Sequence, residues 1–236
     1  MFQPRFFRIA ALLCGLTALT TLCIHLLPDL WSGATAFDDR AALYRHPGLR
    51  LYLCIVIVHC LMVVVSTFAI GVANFRIAPA RMSLGFLGYL LFACTELLRT
   101  SVNIVAVNRY WRPGYLNAGD PAVKDYFREN LSAMQDVSVS LFLLFGIGFF
   151  LGNALYGAAF VQRERFDRVV GVALLTWCAL SLPGLIDAAT GSQLARYFGW
   201  VGPAYQPLAR ALLAVWLWRE GWNTYVASAR ASAPVN

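Results

Sequence analysis

Charge is scarce in this chain. Asp, Glu, Lys and Arg make up 13% of its 236 residues, about half the usual share for a soluble domain. Lysine is scarcer still. Lys124 stands alone among the 19 basic residues, an arginine bias that fits the coding habits of a GC-rich bacterium. The basic residues form no stripe and match no RNA-binding motif. The net charge of +7 is therefore read as a membrane signature and not as nucleic-acid binding.

Cysteine pairs are also missing. Cys14, Cys23, Cys54, Cys60, Cys94 and Cys178 all fall inside apolar stretches, and no CxxC or CxxCH occurs. That disfavours a disulfide framework, a zinc knuckle and attached haem. The thiols are read as small hydrophobes. No GxSxG, HExxH, P-loop or paired intramembrane aspartate is present, so nothing signals an enzyme. An acid–base pair of His59 and Glu96 is the residual catalytic alternative. His25, His46 and His59 could join Asp187 or Glu96 around a metal, but no HxxxH spacing supports one. No metal or cofactor is expected, and each imidazole is read as hydrogen-bonded.

What the chain does have is apolar surface. It is 59% hydrophobic, with 16 Phe, 10 Tyr and 7 Trp. A soluble fold of this size cannot cover so much, so lipid must supply the contact. Six runs reach the roughly 20 residues that cross a bilayer: about 7–27, 51–73, 83–107, 137–160, 169–189 and 201–218. The first follows Arg5 and Arg8, as a signal peptide would. Its length and the lack of an Ala-x-Ala site favour a retained helix. The reading is a single all-α domain spanning 1–236, a polytopic integral membrane helical bundle of six transmembrane helices.

Orientation comes from the short connections. Arginines sit at 5 and 8, at 76 and 81, at 163, 165 and 168, and at 219 and 230. Acids balance the basic residues in the two long loops. Both termini are then cytoplasmic, N-in and C-in, in a bacterial inner membrane. Trp31, Tyr52, Tyr110, Trp111 and Trp200 mark the outer interface; Trp216, Trp218 and Trp222 mark the inner one. Each long outer loop is expected to hold a short amphipathic helix. Thr35 and Asp38 have capping-box spacing, with Pro47 as the stop. In the other loop, Asp120 caps a helix with Pro121 at its first position. Val123, Tyr126, Phe127, Leu131 and Met134 share one face of that helix, which lies on the membrane or lids the bundle. No internal repeat is visible, although three helices on each side of Asp120 allow an inverted arrangement.

The third run is the least lipid-like. Glu96, Arg99, Thr100 and Asn103 stand at i, i+3, i+4 and i+7, one face of a helix. A charge at mid-bilayer costs roughly 2.5–3.5 kcal/mol, so that face must point inward and find partners. Counting rise per residue puts Glu96 roughly 20 Å, His59 roughly 18 Å and Arg210 roughly 16 Å from the inner edge. Asp187 and His25 fall nearer the outer edge. Glu96, Arg99, Asp187 and Arg210 would form a charge-balanced cluster. It can be read as an ion-pair network that only organises packing, or as a site for a small anionic or amphiphilic molecule held by arginine.

Gly148 and Gly152 on the fourth run permit close helix approach, within the chain or in a homo-oligomer, with Asn153 able to hydrogen-bond across it. Pro183-Gly184, Pro203 and Pro207 should kink or break the last two helices. The expected function is binding or transport of a small anionic or amphiphilic molecule through Glu96, Arg99, Asn103, Arg210, His59 and Asp187. The alternative is a structural or accessory membrane subunit, with a membrane enzyme third.

Overall fold

The computed structural model describes residues 3–163, 165–197, 199 and 201–231, with side chains up to 223. Trp200 and the side chain of Arg230, both used above for orientation, lie outside the described residues. Every regular element among the described residues is helical. Helix α1 covers Pro4–Leu26, α2 Phe37–Ala42, α3 Pro47–Asn74 and α4 Pro79–Val102. A π-helical segment, Asn103–Trp111, continues directly into α5, Arg112–Asn117. Then come α6, Pro121–Phe160, α7, Arg165–Thr190, and α8, Val201–Ala231.

Five of these stretches are long and apolar enough to cross a membrane: 4–31, 47–74, 79–117, 121–160 and 165–190. The run read at 201–218 lies in α8, which is 31 residues long. Gln206, Arg210 and two prolines dilute its apolar character, so α8 has the length of a span without the composition of the other five.

The outward surface explains why water is the wrong solvent. On α1, Ile9, Leu12, Leu16, Leu19 and Leu26 are all exposed. Their spacing of three, four, three and seven residues is one face of a helix. The opposite face carries Ala10, Ala11, Cys14, Thr17 and Thr21, all buried. Small residues inside and large apolar residues outside invert the soluble pattern and match membrane packing.

The long helices neighbour one another in a closed ring. α1 packs on α3, α3 on α4, α4 on α6, α6 on α7, α7 on α8, and α8 back on α1. The tightest seam is α4 against α6. A Cβ added at Gly88 would stand 2.7 Å from the Gly148 carbonyl oxygen and 2.8 Å from the Gly152 nitrogen. The Gly148-xxx-Gly152 face is therefore filled by α4 of the same chain. Across this seam the Tyr89 hydroxyl donates to Asn153 Oδ1 at 3.0 Å.

The arginine-rich short connections gather at one end of the ring. Arg163 pairs with Asp167 at 3.1 Å and donates to Asn74 Oδ1. Arg81 donates to the Ala158 carbonyl at 3.2 Å. Trp216 Nε1 donates to Asp167 at 2.8 Å. Trp216 is buried, in edge contact with Phe160, so it is a core residue where an interfacial one was expected. Trp218 and Trp222 are exposed.

The loop helices differ from expectation in two ways. Ala36, not Thr35, precedes α2, and no side chain caps it. Asp38 instead accepts the Tyr115 hydroxyl at 2.5 Å, a tertiary partner that outcompetes the local cap. After Asp120, whose carboxylate does cap Ala122 N at 2.9 Å, the helix does not stop before the membrane run. It continues unbroken for 40 residues as α6, because no glycine or proline interrupts 122–145. Pro183 and Pro207 likewise sit inside continuous helices.

Candidate functional site

Four threads of the sequence meet inside the ring. A cavity of about 510 Å³ is lined by His59 of α3, Glu96 and Arg99 of α4, and Arg210 of α8. Its walls are mostly apolar, including Val56, Phe92, Phe145, Phe149 and Leu185. Pro183 and Gly184 of α7 and Pro203 of α8 also border it. Pro183 cannot donate to the Ala179 carbonyl, so that acceptor is left without its helical partner at the chamber wall.

The two arginines are in opposite states. Arg99 makes a two-pronged bond to Glu96 one turn back: Nε to Oε2 at 2.8 Å and a second nitrogen to Oε1 at 2.5 Å. Fork-to-fork pairing of this kind is the strongest ion-pair geometry proteins use. It neutralises both groups. Glu96 is the deeper member, 8% exposed against 25% for Arg99.

Arg210 has no carboxylate among the described residues. It is 6% exposed. Among the described residues its Nε has no acceptor, and its side chain makes one hydrogen bond, a 3.5 Å contact to Thr17 Oγ1. The guanidinium carbon sits 5.1 Å from the centre of the Trp177 ring. A π face attracts a cation by about 2 kcal/mol when desolvated, less than a buried charge costs. Trp177 was not singled out from sequence. A lone Trp in an apolar run carries no periodic signal, and only the crossing of α7 and α8 places it under Arg210.

Asp187 goes elsewhere. Its carboxylate accepts from Ser192 Oγ at 2.5 Å and from the backbone nitrogens of Leu194 and Ala195 at 2.7 Å. It ties off the C-terminal end of α7 and is half-buried. Asn103 donates to the Arg99 carbonyl at 3.2 Å and lines a different pocket. The cluster read as balanced is thus one closed ion pair plus one open cation.

The histidines each hold a hydrogen bond. His59 Nδ1 meets Thr20 Oγ1 at 2.7 Å, His25 meets Gln206 at 3.4 Å, and His46 Nδ1 accepts from Gly48 N at the start of α3. No group of three metal-ligating side chains occurs among the described residues. No protein family model matches this chain, and no curated protein or solved structure matches it either. The chemistry of the chamber therefore carries the functional reading alone. That chemistry is an aromatic-walled space bordered by one guanidinium that has no carboxylate partner among the described residues.

Proposed function

We propose that this protein binds, and in a membrane moves, a small amphiphilic monoanion through the chamber at Arg210. One observation carries the reading: a buried guanidinium without a carboxylate borders a cavity large enough for a small molecule. Pockets of roughly 300–1,000 Å³ with a few convergent polar groups in apolar walls are the usual form of ligand sites. A carboxylate or monoester head would satisfy Arg210, and its tail would meet Phe92, Phe145 and Phe149. Glu96 compensates the charge of Arg99, which holds the preference to a single charge. His59, through the Nε2 that Thr20 leaves free, can add a hydrogen bond to the head group.

The structural alternative fits the Glu96–Arg99 pair by itself, since both groups lie on one helix and satisfy each other. It does not account for Arg210, because a packing role is served by a paired or apolar residue. A homo-oligomer would have to use a face other than Gly148–Gly152, which α4 occupies.

In the bilayer we read the ring as six spans with both termini cytoplasmic, in a bacterial inner membrane. The support is the gathering of short-connection arginines at one end. Single cysteines at Gln162 and at Gly119, in a background cleared of native cysteines, test this in oriented membrane vesicles. Gln162 should label only from the cytoplasmic side and Gly119 only from the opposite side. The reverse result would overturn the orientation, and labelling of both from one side would overturn the span count.

The ligand reading is tested with dodecanoate on the full chain in non-ionic detergent. Dodecanoate should raise the thermal unfolding midpoint in a saturable way, and dodecanol at the same concentration should not. Equal effects of acid and alcohol would mean partition into the micelle, and the proposal would fail.

A further inference from the structure

A second pocket, of about 330 Å³, lies where α4, the π-helical segment, α2 and α6 converge. It differs in kind from the chamber. Arg40, Arg99, Arg112, Asn103, Gln135 and Ser138 line it, and no acidic residue does. Neither Arg40 nor Arg112 forms an ion pair among the described residues. Arg112 donates only to the neutral Asn108 side chain, at 2.7 Å. Arg40 rests over its neighbour Phe37 at 5.9 Å.

The backbone explains how these groups come together. Asn103, Val107 and Arg112 all border the pocket, at spacings of four and five. In an α-helix of 3.6 residues per turn, residues nine apart point in opposite directions. Here the Arg112 nitrogen bonds the Val107 carbonyl five residues back, and the Asn108 side chain donates to the Asn103 carbonyl at 2.7 Å. The wider π turn absorbs the extra residue and swings Arg112 onto the face of Asn103. π segments are rare and cluster at functional sites, and this one runs for nine residues.

We propose that this pocket is a second anion site, built for a compact oxyanion of the phosphate type, with Arg40 and Arg112 as its cations. Phosphate chemistry fits better than an acyl carboxylate because the lining offers guanidiniums, amides and hydroxyls in a much larger share than the chamber does, alongside Phe37, Val107 and Leu131. Arg99 borders both the pocket and the chamber, so its closed pair with Glu96 lies between the two sites. The phosphate can be free in solution or belong to a lipid head group.

The test titrates the full chain in non-ionic detergent with inorganic phosphate, and the full chain in phosphatidylcholine nanodiscs with and without phosphatidic acid. Wild type should bind at least one of the two. Arg40→Gln and Arg112→Gln should each weaken that binding roughly ten-fold, the loss expected for one charge-assisted contact. Tighter binding of phosphatidic acid assigns a lipid head group, and tighter binding of inorganic phosphate assigns a soluble anion. Arg40 is exposed, so its variant leaves the core untouched. Binding of neither probe, or binding indifferent to both substitutions, would overturn the site. Dodecanoate titration of the same variants keeps the two ideas separate. Arg112→Gln should leave it unchanged, and its failure in wild type would remove the chamber reading without touching this one.

Discussion

Arg210→Met is expected to raise the unfolding midpoint of the ligand-free protein while abolishing its response to dodecanoate. The two effects come from one cause. Holding an unpaired guanidinium in the ring costs several kcal/mol of lost hydration. The Trp177 face returns about 2 kcal/mol of that, and the long contact to Thr17 adds little at 3.5 Å. Methionine fills similar volume with no charge and adapts to irregular walls. The net gain should be about 1–2 kcal/mol, within the ~1–4 kcal/mol found when buried ionic groups become apolar. Thermal or denaturant unfolding in one detergent measures it. Arg210→Lys sharpens the reading, because it keeps the charge but loses the planar fork. It should show no stability gain and weaker dodecanoate binding. If Arg210→Met instead lowers the midpoint, the guanidinium is a packing element and the stored cost assigned to it does not exist.

The apolar runs are long and separated by turn residues and arginines, so the five long apolar helices follow from composition, while the unbroken run of α6 from Pro121 does not. The face of Glu96, Arg99 and Thr100 is likewise visible, because 3.6-residue periodicity holds through α4. The same periodicity fails at Asn103, where the helix widens. Nothing local in Asn103–Trp111 marks a π turn, so the pocket with Arg112 is invisible to a helical wheel. Charge balance misled in a different way. Counting Glu96, Arg99, Asp187 and Arg210 as one cluster assumed that depth decides pairing. Asp187 has nearer partners in the turn that follows it, and the backbone nitrogens of Leu194 and Ala195, four and five residues past the helix end, compete well for a carboxylate. Trp216 shows the limit of the aromatic-belt rule. Its indole N–H found a half-buried acceptor in Asp167, which satisfies the polar end as fully as an interface would.

The second large effect concerns Glu96. Glu96→Gln should lower stability and raise affinity for dodecanoate at the same time. Removing the carboxylate leaves Arg99 charged and without its two short bonds. Breaking a fully buried pair from one side costs ~3–5 kcal/mol. Arg99 is a quarter exposed, so solvent recovers part of this and about 2–3 kcal/mol is the expected loss. Adding Arg99→Gln should restore most of it, since two amides one turn apart leave no buried charge. A double-mutant cycle then reads the coupling directly, and a value below ~0.5 kcal/mol would show that the pair contributes nothing to stability. On the binding side the signs reverse. With Glu96 neutral, the chamber faces two uncompensated guanidiniums where the wild type has one. Dodecanoate should bind roughly ten-fold more tightly to Glu96→Gln, about 1.4 kcal/mol, and the gain should vanish in the double variant. If affinity falls with stability, Glu96 is itself a contact for the ligand and not the group that keeps Arg99 silent.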